Sequence, residues 1–189
     1  MNDAQKAHCS RMLGVLHIQQ NDRTGLGVQI TAHRMEKGQM IMSTNTVRLH
    51  CVLRATPERV YRAFLDADAM VKWFPPHGFT GKVHHVDAKV GGTYKMSFTN
   101  FSTGHSHSFG GKYLELVPNE RIRNTDKFDD PNLPGEMQTT VSLRKVSVGT
   151  ELDIVQEGIP EAIPLEACYL GWQESLTLLA QLVEAEIPG

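Results

Sequence analysis

The chain has 189 residues, 40% of them hydrophobic and 21% charged, with a formal net charge of -2. That length and balance describe a single globular domain able to bury its own core without staples. The near-neutral charge gives no electrostatic reason to expect nucleic acid or an anionic membrane as partner, and no apolar run reaches membrane-spanning length.

Residues 1–43 show no sustained helical or strand period and carry polar breaks such as Gln20-Asn21-Asp22-Arg23. Met12-Leu13-Gly14-Val15-Leu16 is too short, and its flanks too lightly charged, for a secretory signal. Met35, Met40 and Met42 fall just ahead of the first regular strand. The segment is expected to be an irregular extension, either a loosely packed arm or an upstream misreading of the start codon; the competing reading is a short strand at Gly27-Val28-Gln29-Ile30.

A domain over residues 44–187 follows. Val47, Leu49, Cys51 and Leu53 alternate with Arg48, His50 and Val52, the pattern of a half-buried strand. Thr56 suits an N-cap and Pro57 a first helical turn, and Val60, Ala63, Phe64 and Ala67 stripe one helix face. A second short helix is expected from Asp68, ended by Pro75-Pro76, neither of which can donate a backbone bond. Gly91-Gly92 turns into a strand from Thr93 to Asn100, and Gly104 closes a hairpin into His107 to Leu116, with a bend or bulge expected at Gly110-Gly111. Pro118-Asn119-Glu120 precedes Arg121 to Phe128, and a longer loop leads to Met137, Thr139, Val141 and Leu143. Val148-Gly149-Thr150 turns into the last strand, with Leu152 and Ile154 facing inward. Strands joined by such short turns form antiparallel meanders. A long helix over about Leu165 to Ala185 ends the domain, its apolar face made by Leu165, Cys168, Tyr169, Trp172, Leu176, Leu179 and Val183. Gly171 sits mid-helix at a cost of roughly 1 kcal/mol against alanine; one explanation is close approach of another backbone or a ligand, and the other is tolerance of a small residue under a packed strand.

Ala55-Thr56-Pro57-Glu58-Arg59-Val60-Tyr61-Arg62-Ala63-Phe64 with Trp73-Phe74 resembles the opening motif of the START-like (SRPBCC) superfamily, in the branch named for the activator of heat-shock protein 90 ATPase. Val90-Gly91-Gly92-Thr93-Tyr94, Gly111-Lys112-Tyr113-Leu114-Glu115, Pro118-Asn119-Glu120-Arg121, Gly149-Thr150-Glu151-Leu152 and Gly171-Trp172 through Leu176 extend the resemblance over about Asn45 to Ile187. It implies an α+β helix-grip fold, with a curved seven-stranded antiparallel sheet around a long C-terminal helix and two short helices after the first strand. The superfamily holds lipid and hormone carriers, polyketide cyclases, ring-hydroxylase subunits and co-chaperone domains, so the fold leaves the function open.

A concave sheet under one helix rarely fills completely, and apolar pockets with a few polar groups are the usual ligand sites. The candidate cavity residues are Trp73, Phe74, Phe79, Tyr94, Met96, Phe98, Phe109, Tyr113, Phe128, Met137, Ile154, Cys168, Trp172 and Leu176, with ordinary core packing as the competing role for most. His77, His107, Asp126 and Gln156 are the candidate polar groups. For His77 the alternative is a surface loop position, and Asp126, Glu157 and Glu166 are read first as solvated or salt-bridged carboxylates. His105 and His107 on one strand, with His84-His85 nearby, would need a third converging ligand to hold a metal, so no metal site and no cofactor is expected.

Cys9, Cys51 and Cys168 are odd in number and scattered, which fits reduced thiols and a cytoplasmic location. Gly25-Leu26-Gly27 lacks the third glycine of a dinucleotide loop, and no phosphate loop, Gly-x-Ser-x-Gly elbow or His-Glu-x-x-His helix occurs. The expected function is binding of a small apolar or aromatic ligand without defined catalysis. The alternatives are a chaperone-interacting module and a polyketide cyclase- or hydrolase-like enzyme using the same cavity; a chaperone or a second copy of the chain are the candidate protein partners. Deleting residues 1–42 is expected to leave the thermal midpoint unchanged, since they offer the core no periodic apolar face; a large drop would put the segment inside the fold.

Overall fold

The structure is a computed structural model that describes residues 45–186. The expected extension over residues 1–43 and the alternative strand within it lie outside the described residues. Strand β1 (Val47–Leu53) leads into helices α1 (Pro57–Ala63) and α2 (Ala67–Trp73). Six strands follow: β2 (Phe79–Val86), β3 (Thr93–Asn100), β4 (Ser106–Val117), β5 (Arg121–Phe128), β6 (Met137–Val146) and β7 (Gly149–Glu157). Helix α3 (Leu165–Val183) ends the fold. The strands form one seven-stranded sheet in the order β1-β7-β6-β5-β4-β3-β2, antiparallel throughout. This is the helix-grip architecture that the sequence implied. Among the described residues no helix is long and apolar enough to cross a membrane.

Local chemistry accounts for the boundaries. Thr56 occupies the N-cap of α1, but its side chain makes no capping bond; its carbonyl accepts from the N–H groups of Arg59 and Val60. Asp66 caps α2 properly, its carboxylate accepting from the Ala69 N–H at 2.9 Å. Pro75 and Pro76 then stop α2, and the chain crosses to the far edge of the sheet to begin β2. The two short helices thus fill the one long connection in an otherwise hairpin-linked sheet.

Period-two alternation decides which side chains reach the core. Val47, Leu53, Tyr94, Met96, Phe109, Tyr113, Ile122, Val141, Leu152 and Ile154 are buried on the inner face, and α3 lays Trp172, Leu179 and Val183 against them. The bulge expected at Gly110-Gly111 occurs a few residues later, where the β4–β5 register shifts between Tyr113 and Glu115. The glycines serve a different purpose. A Cβ on Gly110 would stand 2.3 Å from the Tyr94 carbonyl oxygen, and one on Gly111 would crowd the Thr125 carbonyl oxygen. Backbone approach requires glycine there, without any change of register.

Gly171 departs from expectation too. A Cβ there meets nothing within 4 Å, so the residue is not a point of contact between helix and sheet. Its helical penalty is therefore uncompensated by packing. Replacing Gly171 with alanine is expected to stabilise the protein by about 1 kcal/mol in chemical denaturation, the helix-propensity difference. A loss of stability of that size would show a close approach at this position after all.

Candidate functional site

Two overlapping aromatic groups, which share Phe98 and Phe109, lie on the concave face. The first is centred on Phe74, whose ring lies 5.6 Å from Trp172, 6.0 Å from Phe98 and 6.3 Å from Phe109 in edge-on geometry. Trp73 packs beside it, its indole N–H donating to the Ala63 carbonyl at 2.8 Å. Ser175 of α3 donates to the Phe74 carbonyl at 2.8 Å, so the end of α2 is tied to α3 at this ring. The second group gathers towards β2: the His107 ring is within 6.3 Å of Phe79, Phe98, Phe109 and Phe128.

Between α2, α3 and the middle of the sheet lies a cavity of about 40 Å³. Its apolar wall is Phe64, Met70, Trp73, Phe74, Ile122, Val141 and Trp172, and its polar wall is Tyr94, Tyr113, Asn124, Asp126, Thr139 and Gln156. A wider depression over Lys95, Gly110 and Lys127 is open to solvent and holds the Lys95–Asp129 ion pair. The smaller space is the better candidate, because its groups converge from β3, β4, β5, β6, β7, α2 and α3.

Hydrogen bonds link several groups of the polar wall, and one buried atom in it has no partner among the described residues. The Asn124 amide donates to the Tyr94 hydroxyl at 2.9 Å and to the Thr125 carbonyl at 3.1 Å, and the Tyr94 hydroxyl donates to that same carbonyl at 3.1 Å. The Trp172 indole N–H donates to the Gln156 side-chain oxygen at 2.9 Å. Asp126 is only 8% exposed, and its Oδ1 has no hydrogen-bond partner among the described residues. Burial pushes its carboxyl from the ordinary 3.8 up to about 7, a shift that the Tyr94 hydroxyl and the Lys127 N–H oppose without cancelling. Burial also holds the Tyr94 phenol well above its usual range and lifts Tyr113 to about 12. The site therefore contains one group able to exchange a proton near neutral pH.

The sequence model of the family described as Activator of Hsp90 ATPase homolog 1-like protein matches residues 54–184. The chain belongs to that family. A crystal structure from Chromobacterium violaceum is 64% identical, with a TM-score of 0.75, covering 75% of this chain and 99% of that one. Crystal structures from Nitrosomonas europaea and Rhodobacter sphaeroides, each 21% identical with a TM-score of 0.63, share the fold. They cover 72% of this chain, and 92% and 90% of their own. No curated protein matches this chain.

In this Hsp90 ATPase activator-like domain, the candidates Trp73, Phe74, Tyr94, Tyr113, Trp172, Asp126 and Gln156 line the cavity. Phe79, Phe98, Phe109, Phe128 and His107 stand outside its wall in the second aromatic group. Met96, Met137 and Ile154 are buried in the core, and Cys168 and Leu176 pack half-buried against it. His77 is exposed at the α2–β2 turn beside Glu174, whose carboxylate accepts from the His77 N–H. Ser175 faces the α2–α3 junction rather than the cavity. His84 and His85 bond to Ser97 and Thr93, and among the described residues no group of three His, Cys, Asp or Glu is arranged to hold a metal ion.

Asp126 lines the cavity, as its place among the candidate polar groups had it, and the structure overturns its competing reading as a solvated or salt-bridged carboxylate. The signal was available in β5: Ile122, Asn124, Asp126 and Phe128 share one parity, so whatever buries Ile122 and Phe128 buries the two polar residues between them. Thr139 is missed for the same reason, lying between the inward-facing Met137 and Val141.

The buried carboxyl has a stability consequence. Between about pH 4 and 7 the folded protein holds a proton at Asp126 that the unfolded chain has released. Its contribution therefore lowers stability as pH rises through that window, by a total on the order of 4 kcal/mol above pH 7. Asp126→Asn is expected to remove this fall and to be the more stable protein at pH 8, measured by denaturant unfolding from pH 5 to 8. Parallel pH profiles for the two proteins would contradict the buried, unpartnered carboxyl.

Proposed function

We propose that this protein binds a small ligand with an apolar or aromatic body between the concave face of its sheet and α2 and α3. The observation that supports this most is the buried wall itself, in which an apolar side of Trp73, Phe74 and Trp172 faces a polar side with an unsatisfied carboxyl oxygen. Native interiors seldom leave such an atom unpaired, and apolar pockets with a few aimed polar groups are the usual ligand sites. The space of about 40 Å³ suits a water, far short of the roughly 300–1,000 Å³ of ligand pockets. Binding therefore requires the wall to open. The α2–α3 junction is the economical place, because the Ser175–Phe74 hydrogen bond and the Phe74–Trp172 ring contact close it.

Both tryptophans of the chain line the cavity, so energy transfer from them reports a molecule bound there. Titration with the neutral fluorophore N-phenyl-1-naphthylamine is expected to give saturable transfer at one molecule per chain. Val141→Phe, which fills the cavity from the sheet side, is expected to abolish it while the protein still melts cooperatively. Folded wild-type protein that gives no saturable signal would contradict the reading.

The family's description and the small interior space favour a second reading, docking onto an Hsp90 chaperone. Stimulation of purified Hsp90 ATPase by this protein, unchanged in Val141→Phe, would support docking over ligand binding.

A further inference from the structure

We infer that the polar end of the cavity is a subsite for a protonated nitrogen, an ammonium or amidinium head carried on the ligand's apolar body, with Asp126 as its carboxylate partner. This rests on the reading that the cavity binds a ligand, and it names the head group that the site selects.

Asp126 is more than nine-tenths buried and lines the cavity, and its Oδ1 is unpartnered among the described residues. Both hydrogens of the Asn124 amide are committed, to the Tyr94 hydroxyl and the Thr125 carbonyl. The hydroxyl proton of Tyr94 also goes to the Thr125 carbonyl, and the indole proton of Trp172 goes to Gln156. The Tyr94 hydroxyl and the Lys127 N–H act on the carboxyl, yet its Oδ1 receives no hydrogen bond, and no Lys, Arg or His lines the cavity. Arg123 and Lys127, the cations closest along β5, alternate to the exposed face. A buried acceptor oxygen that receives no hydrogen bond from its own wall is satisfied by a donor that arrives with the ligand.

Charge then separates the head groups. An anionic head meets a carboxyl that can only repel it or take up a proton. A neutral hydroxyl is accommodated by either protonation state. A protonated nitrogen gains a charge-assisted hydrogen bond from the ionised state alone, with aromatic faces of Trp73, Tyr94 and Trp172 nearby to receive its charge. Among the groups that face Asp126, only Tyr94 on β3 and Tyr113 on β4 titrate, and burial keeps both neutral at physiological pH. The remaining wall residues from α2, β6, β7 and α3 carry no charge. Asp126, ionising near pH 7, therefore sets the pH dependence of the head-group preference.

The test uses one apolar body with three heads: 2-phenylethylamine, 2-phenylethanol and phenylacetate, titrated into the full chain by calorimetry at pH 6 and pH 8. At pH 8 the amine is expected to bind roughly tenfold more tightly than the alcohol, and phenylacetate most weakly. Amine affinity is expected to rise about tenfold from pH 6 to pH 8 as the carboxyl ionises, with no such rise for the alcohol. Asp126→Asn is expected to abolish the amine's advantage and keep alcohol binding. The pH series on the wild type gives the same answer should that variant fold poorly. Equal binding of all three heads, or an amine preference that survives in Asp126→Asn, would overturn the head-group assignment and leave ligand binding standing. Failure of all three to bind the folded protein would overturn both.

Discussion

An antiparallel sheet with one apolar face has to cover that face, and in this fold the cover converges on the contact between Phe74 and Trp172. The connection from β1 to β2 spans the sheet from one edge to the other, and it delivers α2 with Trp73 and Phe74 at its end. Helix α3 returns over the same face and places Trp172 against Phe74, while Ser175 bonds to the Phe74 carbonyl. Buried aromatic side chains of this size dominate core energetics, and edge-on pairs add to the area they bury. The arrangement fixes α2, α3 and the centre of the sheet together. It also leaves a small space behind the rings, because flat aromatic walls do not fill a curved surface completely.

What stands at the back of that space is chemically unusual. Most of the inner face is Val, Leu, Ile, Met and aromatic residues, yet Asn124, Asp126 and Thr139 occupy adjacent inward positions on β5 and β6. A carboxyl in such surroundings costs several kcal/mol when ionised and less when protonated, which is why its proton affinity rises. A purely structural purpose would be served more cheaply by a hydrophobic residue of similar volume. The polar island is therefore the part of the core that packing alone does not explain, and it lines the small cavity whose walls come from both helices and the sheet.

The order and type of the elements were legible because the period-two strands, the two prolines after α2 and the long apolar stripe of the last helix are strong local signals. The positions of the bulge and the role of Gly171 were not. Glycine pairs mark both bulges and close backbone approach, and the distances at Gly110 and Gly111 show the second. A mid-helix glycine says nothing about whether a neighbour needs its space. The candidate site was legible in its aromatic part, through Trp73, Phe74, Tyr94, Tyr113 and Trp172. Its polar centre was legible only in part: Asp126 and Gln156 stood among the candidate polar groups, while Asn124 and Thr139 did not, and for Asp126 residue type was weighed ahead of position. Aspartate is usually exposed, but the parity it shares with Ile122 and Phe128 turns Asp126 inward. Phe79, Phe98, Phe109 and Phe128 lie on the correct face of the sheet and yet gather around His107 outside the cavity wall, Phe98 and Phe109 also touching Phe74. Membership of a face is a property of the strand, whereas lining a cavity depends on where the helices cross it.

The chemistry of the site turns on the protonation of one side chain. Titration of the Asp126 side-chain carboxyl by carbon-detected NMR, in the free protein under folded conditions, measures it without recourse to ligand or stability. The burial of the carboxyl predicts a midpoint of about 7. A midpoint near the ordinary 3.8 would show a solvated or paired carboxylate, and would contradict the unsatisfied polar centre on which the site rests.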